Sequence, residues 1–379
     1  MKIGYQSMVI NPTSPQKPVG HLIKTNNLSL VKGDCTIRCF YVENEKPLLF
    51  VTIDVYAVST IVINKMKDIA QSFFKKELDI IVSATHTHSA PSLFNGFNVF
   101  SQNSNFIEYV LERFEICLIK LKTKTIDCHI RYDVSEHGFL EFTKDPNGLI
   151  RLQLLSFYDQ QKPLGHWIVF NAHPTLVAAD AHYFSSDYIG ALLEKLQRKF
   201  PFEFFMFFQG ACGDVFYQNK TTSSTFQDSV KVSNLLFHQL VKLINQEKTA
   251  KPTDLILQNI SIPINHRIKT MNDFEASDEQ TKQQAQDLLP KVNEIKSTLL
   301  KKTEFQSFKT SQCHFVFTPY KWYSSYQKKL DDHVVLINLS NGYHGNITDI
   351  QTLPLRFDAI FETIKATEKE KLLNHLKQL

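Results

Sequence analysis

Ser83-Ala84-Thr85-His86-Thr87-His88-Ser89-Ala90-Pro91 follows directly on the apolar run 78–82. A short β-branched run that breaks into a polar, proline-ended loop predicts a buried strand reaching its C-terminal end. In open α/β sheets, ligands bind outside that end. Side chains alternate faces along a strand, so His86 and His88 are expected on the same side. Two imidazoles at a strand end are the makings of a metal or acid–base site. His-x-His also occurs in loops where each ring only satisfies backbone groups, so the rest of the chain has to decide between these uses.

Working outward, 48–54 reads as an apolar strand that pairs with 35–42 as a hairpin. Residues 60–75 carry helical spacing at Ile61, Ile63, Met66, Ile69, Ala70 and Phe73, and 79–84 returns as a strand. Such a strand–helix–strand unit predicts a right-handed parallel crossover. A second amphipathic helix is expected over 104–122, then strands over 126–134, 149–158 and 164–171, the last two forming a hairpin. A helix is expected over 188–198. The run Glu203-Phe204-Phe205-Met206-Phe207-Phe208 reads as a central buried strand. A helix over 227–246, a strand over 255–264, a long polar helix over 278–302 and a charged amphipathic tail helix over 358–379 complete the pattern. Strands and helices interleave to the end, so the expected fold class is α/β, a mixed sheet with interleaved helices in one domain spanning 1–379. The polar helix is the best candidate for an excursion from it.

Hydrophobic residues make up 43% of the 379 residues and charged residues 21%, which is ordinary for a globular chain. The net charge of +4 is spread over scattered Lys and Arg, which is no electrostatic footprint for nucleic acid. No stretch reaches the ~20 apolar residues needed to span a bilayer, so no membrane insertion is expected. The first residues lack the apolar core of a signal peptide, and a cytoplasmic location is the expectation. The six cysteines form no Cys-x-x-Cys pair and suit a reduced compartment. Cys35 and Cys39 are expected to share one strand face as small apolar residues.

Four loops follow apolar strands and carry chemical residues. They are Thr85-His86-Thr87-His88-Ser89, Asn171-Ala172-His173-Pro174-Thr175, Gln209-Gly210-Ala211-Cys212-Gly213-Asp214, and Asn338-Leu339-Ser340-Asn341-Gly342-Tyr343-His344-Gly345. Glycines in such loops let backbone approach a ligand or take positive φ. One such loop is ordinary, whereas four at one sheet edge would build a pocket. The Phe94 and Phe97 side chains, just past the histidine pair, are candidates for a pocket mouth that takes an apolar ligand.

This ordered set resembles the neutral/alkaline non-lysosomal ceramidase family and its shorter bacterial relatives. Thr85-His86-Thr87-His88-Ser89 is similar to that family's histidine motif. His173-Pro174-Thr175 with Ser185-Ser186-Asp187-Tyr188 resembles its second histidine segment. Gln209-Gly210-Ala211-Cys212-Gly213-Asp214 resembles its glycine-rich loop, and Asn341-Gly342-Tyr343 its Asn-x-Tyr segment. The likeness runs to about residue 350. It implies a ceramidase-like catalytic domain without the family's C-terminal immunoglobulin-like domain. The implied activity is hydrolysis of a non-peptide amide by zinc-activated water, with a link to lipid metabolism. The implied partner is a small molecule with an amide group. His86, His173 and Tyr343 would be zinc ligands, and His88 and Asp214 would join the catalytic group. Three neutral or weakly acidic ligands and an open position suit zinc.

The sequence departs from that pattern at two places. Pro319-Tyr320-Lys321 stands where the family has Pro-Gly-Glu, and Phe216 where it has a serine. An ammonium has no lone pair and cannot ligate zinc. Either another acid such as Asp214 or Asp54 completes the metal site, or the fold persists as a non-catalytic binding or regulatory protein. Asp54 is also a candidate to hold a histidine tautomer. Asp187 either orients His173 or caps the next helix, the commoner use. Cys212 is a nucleophile if a histidine lies close, and otherwise a small packed residue. His182 and His344 are expected at the surface.

Overall fold

The computed structural model describes residues 1–16, 30–43, 46–94, 104–144, 147–177, 181, 183–218, 226–267, 269–296, 302–349 and 357–379. The fold is mixed α/β as expected, but the strands are shared among three main sheets rather than one. The first runs Asp79–Ala84, Pro47–Ile53, Thr36–Glu43, Lys2–Val9, Lys122–Thr125 in spatial order. The second runs Phe204–Gln209, Lys162–Phe170, Leu152–Asp159, Cys128–Ser135, Lys251–Pro252. The third runs Ile256–Pro263, Lys302–Lys309, His314–Phe317, Val334–Ile337.

Alternation along the strands explains why three sheets form. Phe40, Val42, Leu48, Phe50 and Ile81 of the first sheet point into a common inner core. Trp167, Val169, Phe204, Met206 and Phe208 from the second sheet, and Phe308, Phe315 and Phe317 from the third, meet them there. The intervening residues face outward under helices. Cys39, Tyr41, Val51 and Val82 lie under the Thr60–Phe74 and Ser104–Lys120 helices. Ile168, Phe170, Phe205 and Phe207 lie under Asp187–Lys199 and Phe226–Ile244. Val316, Val334 and Leu336 pack with the Ala366–Leu376 helix. Strands such as Pro47–Ile53 and Phe204–Gln209 are therefore apolar on both faces, which periodicity alone reads as a single buried sheet. Trp167 touches rings from all three sheets, with Phe50 at 4.4 Å, Phe157 at 4.9 Å and Phe308 at 5.4 Å between centroids.

The two hairpins and the parallel crossover form in the expected places. Cys35 and Cys39 are buried on one face and packed in the first outer core, as small apolar residues. Two expectations are corrected. Phe204–Gln209 is fully buried, yet it lies at the edge of its sheet and not at the centre. Its open edge is taken up by other segments, with Asn338 N–H donating to the Gln209 carbonyl at 2.8 Å and the Arg38 guanidinium to the Phe205 carbonyl at 3.1 Å. Burial reports that a strand is covered, not where it sits. The polar helix spans Glu279–Lys296 and is no excursion. Ala285, Leu288, Leu289 and Val292 form a narrow stripe at i, i+3, i+4 and i+7 that docks into the first outer core.

Candidate metal centre

The Asp79–Ala84 strand runs parallel to Pro47–Ile53, and both end at the site. Past Ala84 the chain keeps pairing, Thr85 N–H to the Ile53 carbonyl and His86 N–H to the Val55 carbonyl, both at 3.0 Å. His86 itself has φ +67°, the left-handed region. The strand has already ended there, so the two histidines meet through a turn and not by strand alternation. The Thr87 hydroxyl donates to the Ser185 carbonyl at 2.8 Å, and Ser185 N–H donates to the Ser89 carbonyl at 2.8 Å. These bonds hold the loop closed against the segment before the Asp187–Lys199 helix.

His173 follows the Lys162–Phe170 strand of the second sheet, so the histidines come from two sheets. The ring centroids lie 4.9 Å apart for His86 and His88, 5.1 Å for His86 and His173, and 5.5 Å for His88 and His173. One ligand nitrogen of each lies within 4.8 Å of the others. The structure thus groups His88 with the two histidines that the resemblance names as ligands. His86 Nδ1 is bonded to the Tyr56 carbonyl at 2.7 Å, and His173 Nδ1 to the Cys212 carbonyl at 3.0 Å. Backbone acceptors of this kind fix the tautomer and leave Nε2 as the lone-pair nitrogen. His86 Nε2 is fully buried with no hydrogen-bond partner among the described residues. An orphaned imidazole nitrogen aimed into a histidine cluster fits a divalent cation of zinc type. Burial, then the Lys321 ammonium, push the His86 pKa down to about 3 against the opposing pull of the Tyr56 carbonyl, so the ring is neutral near pH 7.

The other residues singled out in the sequence fall into place around this cluster. Tyr343 lies 6.1 Å from His86 between ring centroids, and its hydroxyl donates to Asn346 Oδ1 at 2.7 Å. Lys321 is buried in a short strand paired with Asn346–Ile347, near enough for its charge to act on His86. Phe216 stacks on the His173 ring at 4.9 Å. Cys212 is buried; its carbonyl meets His173, and its thiol accepts from the Asn338 amide at 3.7 Å.

No carboxylate joins the three histidines among the described residues. Asp214 accepts from the Ser324 backbone N–H and, at 2.7 Å, from its hydroxyl. Asp54 accepts from Thr36 N–H and hydroxyl, both at 2.8 Å, and from the Thr85 hydroxyl at 3.1 Å. It steadies the residue before His86, while the tautomer is held by Tyr56. Asp187 stands one residue past the N-cap position, and its carboxylate accepts from the Tyr188 backbone N–H at 2.7 Å. Ser186 is the N-cap, and Asp187 is the first helical residue, at φ +58°. Its carboxylate accepts from Leu176 N–H at 2.8 Å and Val177 N–H at 3.1 Å, clamping the segment just after His173.

Phe94 is buried in the first outer core, 5.6 Å from Tyr343, so it packs instead of lining a mouth. Phe97 and His182 lie outside the described residues. His344 is half-buried and lines a cavity of about 410 Å³ with Lys67, Glu304 and Asn341, apart from the histidine cluster.

Tyr56 is the residue that sequence reading missed. Its ring lies 4.5 Å from His86 and 5.0 Å from His88. The signal was available, since Tyr56 also ends an apolar strand, the partner of the one that leads to His86.

Fold and site together define a mixed α/β protein with a trihistidine cluster, His86 and His173 buried and His88 half-buried, where two sheets end. Its fold is that of the neutral ceramidases. The neutral ceramidase from Pseudomonas aeruginosa aligns over 99% of this chain and 73% of its own, with a TM-score of 0.78 and 13% identity. A ceramidase complexed with C2 aligns over 99% and 74%, with a TM-score of 0.76 and 13% identity. No family model matches the sequence, and no curated protein matches it. Among the described residues, no helix is long and apolar enough to cross a membrane.

Proposed function

We propose that this chain is a metal-dependent hydrolase that cleaves a non-peptide amide bond, with His86, His88 and His173 holding a zinc-type ion. The observation that carries the proposal is the convergence of three histidine ring nitrogens, that of His86 buried with no hydrogen-bond partner among the described residues, at the strand ends of a ceramidase fold. The bound ion would supply Lewis acidity, polarising the amide carbonyl and acidifying water. In the net reaction, water adds its oxygen to the carbonyl carbon, the C–N bond breaks, and the amine nitrogen leaves with a proton. The chain's own groups set the geometry. The Tyr56 and Cys212 carbonyls keep two imidazoles in one tautomer, and Asp187 and Asp54 hold the loops that carry them. Tyr343 lies beside His86, where its ring and hydroxyl border the reacting groups. The inner core shared by three sheets supports reading the 379 residues as one catalytic domain.

A non-catalytic protein on the same fold is the second reading. It is favoured by the buried Lys321, whose charge acts on His86, and by Phe216 stacked on His173, both where the resemblance calls for polar catalytic groups. Elemental analysis of protein purified without chelator separates the two. The hydrolase reading expects about one zinc per chain, lost in His86→Ala and His173→Ala, together with amine release from short N-acyl substrates. Absence of metal from unmutated, folded protein incubated with zinc would sink it.

A further inference from the structure

A free sheet edge presents N–H and C=O groups to any other strand, and native proteins cover such edges, shorten them or charge them. The edges of the three main sheets follow that rule with one exception among the described residues. Asp79–Ala84 is covered by the loop after Val334–Ile337, with Ala84 N–H donating to the Leu339 carbonyl at 3.1 Å and Asn341 N–H to the Val82 carbonyl at 2.7 Å. Phe204–Gln209 is covered by Asn338 and Arg38. Val334–Ile337 is closed by the Gln327 amide, which donates to the Val334 carbonyl at 2.7 Å and accepts from Leu336 N–H at 2.8 Å. Lys122–Thr125 and Lys251–Pro252 are short and carry lysine or proline. Ile256–Pro263 is the exception. It ends the third sheet, is eight residues long, and carries no charged side chain. Among the described residues, no group outside its sheet bonds to its backbone except Lys371 Nζ, at the carbonyl of its last residue, Pro263. Ile256 is 49% exposed, and Ile260, on the same face, is half-buried.

We infer that Ile256–Pro263 pairs with the same strand of a second copy of this chain, antiparallel, about a two-fold axis at Gln258. The strand complements itself in that register. Ile256 of each copy faces Ile260 of the other, so two apolar pairs flank a central pair of Gln258 side chains. All of these side chains share one face, and the isoleucines cover each other's exposed surface. The ends match in charge. Asp254 is exposed, and among the described residues no donor meets its carboxylate. In the paired register it falls opposite Ile262, one residue from the Pro263 carbonyl on which Lys371 of the other copy sits at 2.6 Å. The two-fold axis repeats this contact at the far end, as an isologous interface requires. A parallel pairing would instead bring like ends together, Asp254 against Asp254. Two four-stranded sheets would become one continuous sheet, and the unprotected edge would be closed in both copies. The inference rests on neither reading of the histidine cluster.

The test uses the full chain. Sedimentation equilibrium should show a dimer of the 43.8 kDa chain. The dimer should give way to monomer on dilution across a range of about 1–100 µM. Ile260→Lys sets an ammonium against Ile256 of the other copy and should weaken the dimer about tenfold or more. Because Ile260 is half-buried and its replacement can disturb the fold, a second variant reads the register directly. The native cysteines are all buried, so a cysteine placed at the exposed Gln258 is the reactive one. Under mild oxidation Gln258→Cys should form a disulfide-linked dimer, and Asn265→Cys, beyond the strand and far from the axis, should not. Crosslinking at Gln258 and not at Asn265 supports the inference whether or not Ile260→Lys folds. A chain that stays monomeric over this range, with Gln258→Cys crosslinking no faster than Asn265→Cys, overturns it. A dimer in which Gln258→Cys does not crosslink overturns it as well, since the contact then lies on another face.

Discussion

Gly345 shows how little freedom single residues have at this site. Its φ is +110°, and a Cβ added there would run into the backbone carbonyl of Phe361. The Gly345 carbonyl also accepts from Lys321 N–H at 3.0 Å, so the position holds the segment that places Lys321. Gly345→Ala combines strain at positive φ with a backbone clash, and should cost about 2–4 kcal/mol. A denaturant melt checks this, and a cost under about 0.5 kcal/mol would show that the loop can move aside. The glycine was legible in the sequence as part of a chemical loop. Its φ was not, because that depends on Phe361, which arrives from another part of the chain. Lys321 is similar: the sequence shows a lysine where the resemblance expects an acid, but only its burial, with its charge acting on His86, makes it part of the site.

At the scale of elements, the segment after the Lys162–Phe170 strand and the start of the Asp187–Lys199 helix act as one unit. The Asp187 carboxylate takes four donors, the backbone N–H groups of Leu176, Val177 and Tyr188 and the Ser229 hydroxyl. Burial pushes its pKa up while these bonds pull it back. Asp187→Asn would turn an NH₂ group toward N–H donors and leave at least one unpaired, at a cost of about 1–3 kcal/mol for each buried group left unsatisfied. The expected outcome is a lower melting temperature together with weaker zinc retention, because His173 lies three residues before Leu176. Unchanged zinc content in a destabilised variant would confine Asp187 to the fold. The strand and helix around it were readable from periodicity. The side-chain use was not, since a cap and a clamp leave the same residue at the same position in the sequence.

Across the whole molecule, Glu362 ties the outer layers together. Its carboxylate meets Lys269 at 2.9 Å and Lys369 at 2.6 Å, and accepts from the Thr348 hydroxyl at 2.6 Å. Lys269 lies before the Glu279–Lys296 helix on the first sheet's side, and Lys369 on the Ala366–Leu376 helix of the third. Burial raises the Glu362 pKa, but the two ammonium groups outweigh it and the net shift is downward. A carboxylate with a lowered pKa in the folded state adds stability above its ordinary value of 4.5, which is lost as the pH falls through the folded value. The melting temperature should therefore drop below about pH 4.5, and Glu362→Gln should flatten that part of the profile while costing about 3–5 kcal/mol at neutral pH, from two buried ammonium groups left uncompensated. An identical acid limb in the variant would assign the loss to other carboxylates.

Local pattern carried the strand ends, the crossover helix, both hairpins and the loops that hold His86, His88 and His173, because each depends on the residue types of a few neighbours. It could not divide the strands among sheets. Apolar faces on both sides look alike whether a strand borders one core or two, and Trp167 becomes the meeting point of three sheets only once they have packed. The same limit holds at the site. Single loops showed which side chains could do chemistry, whereas the partners that fix their tautomers, charge and neighbours came from residues tens to hundreds of positions away, joined only by the closed fold.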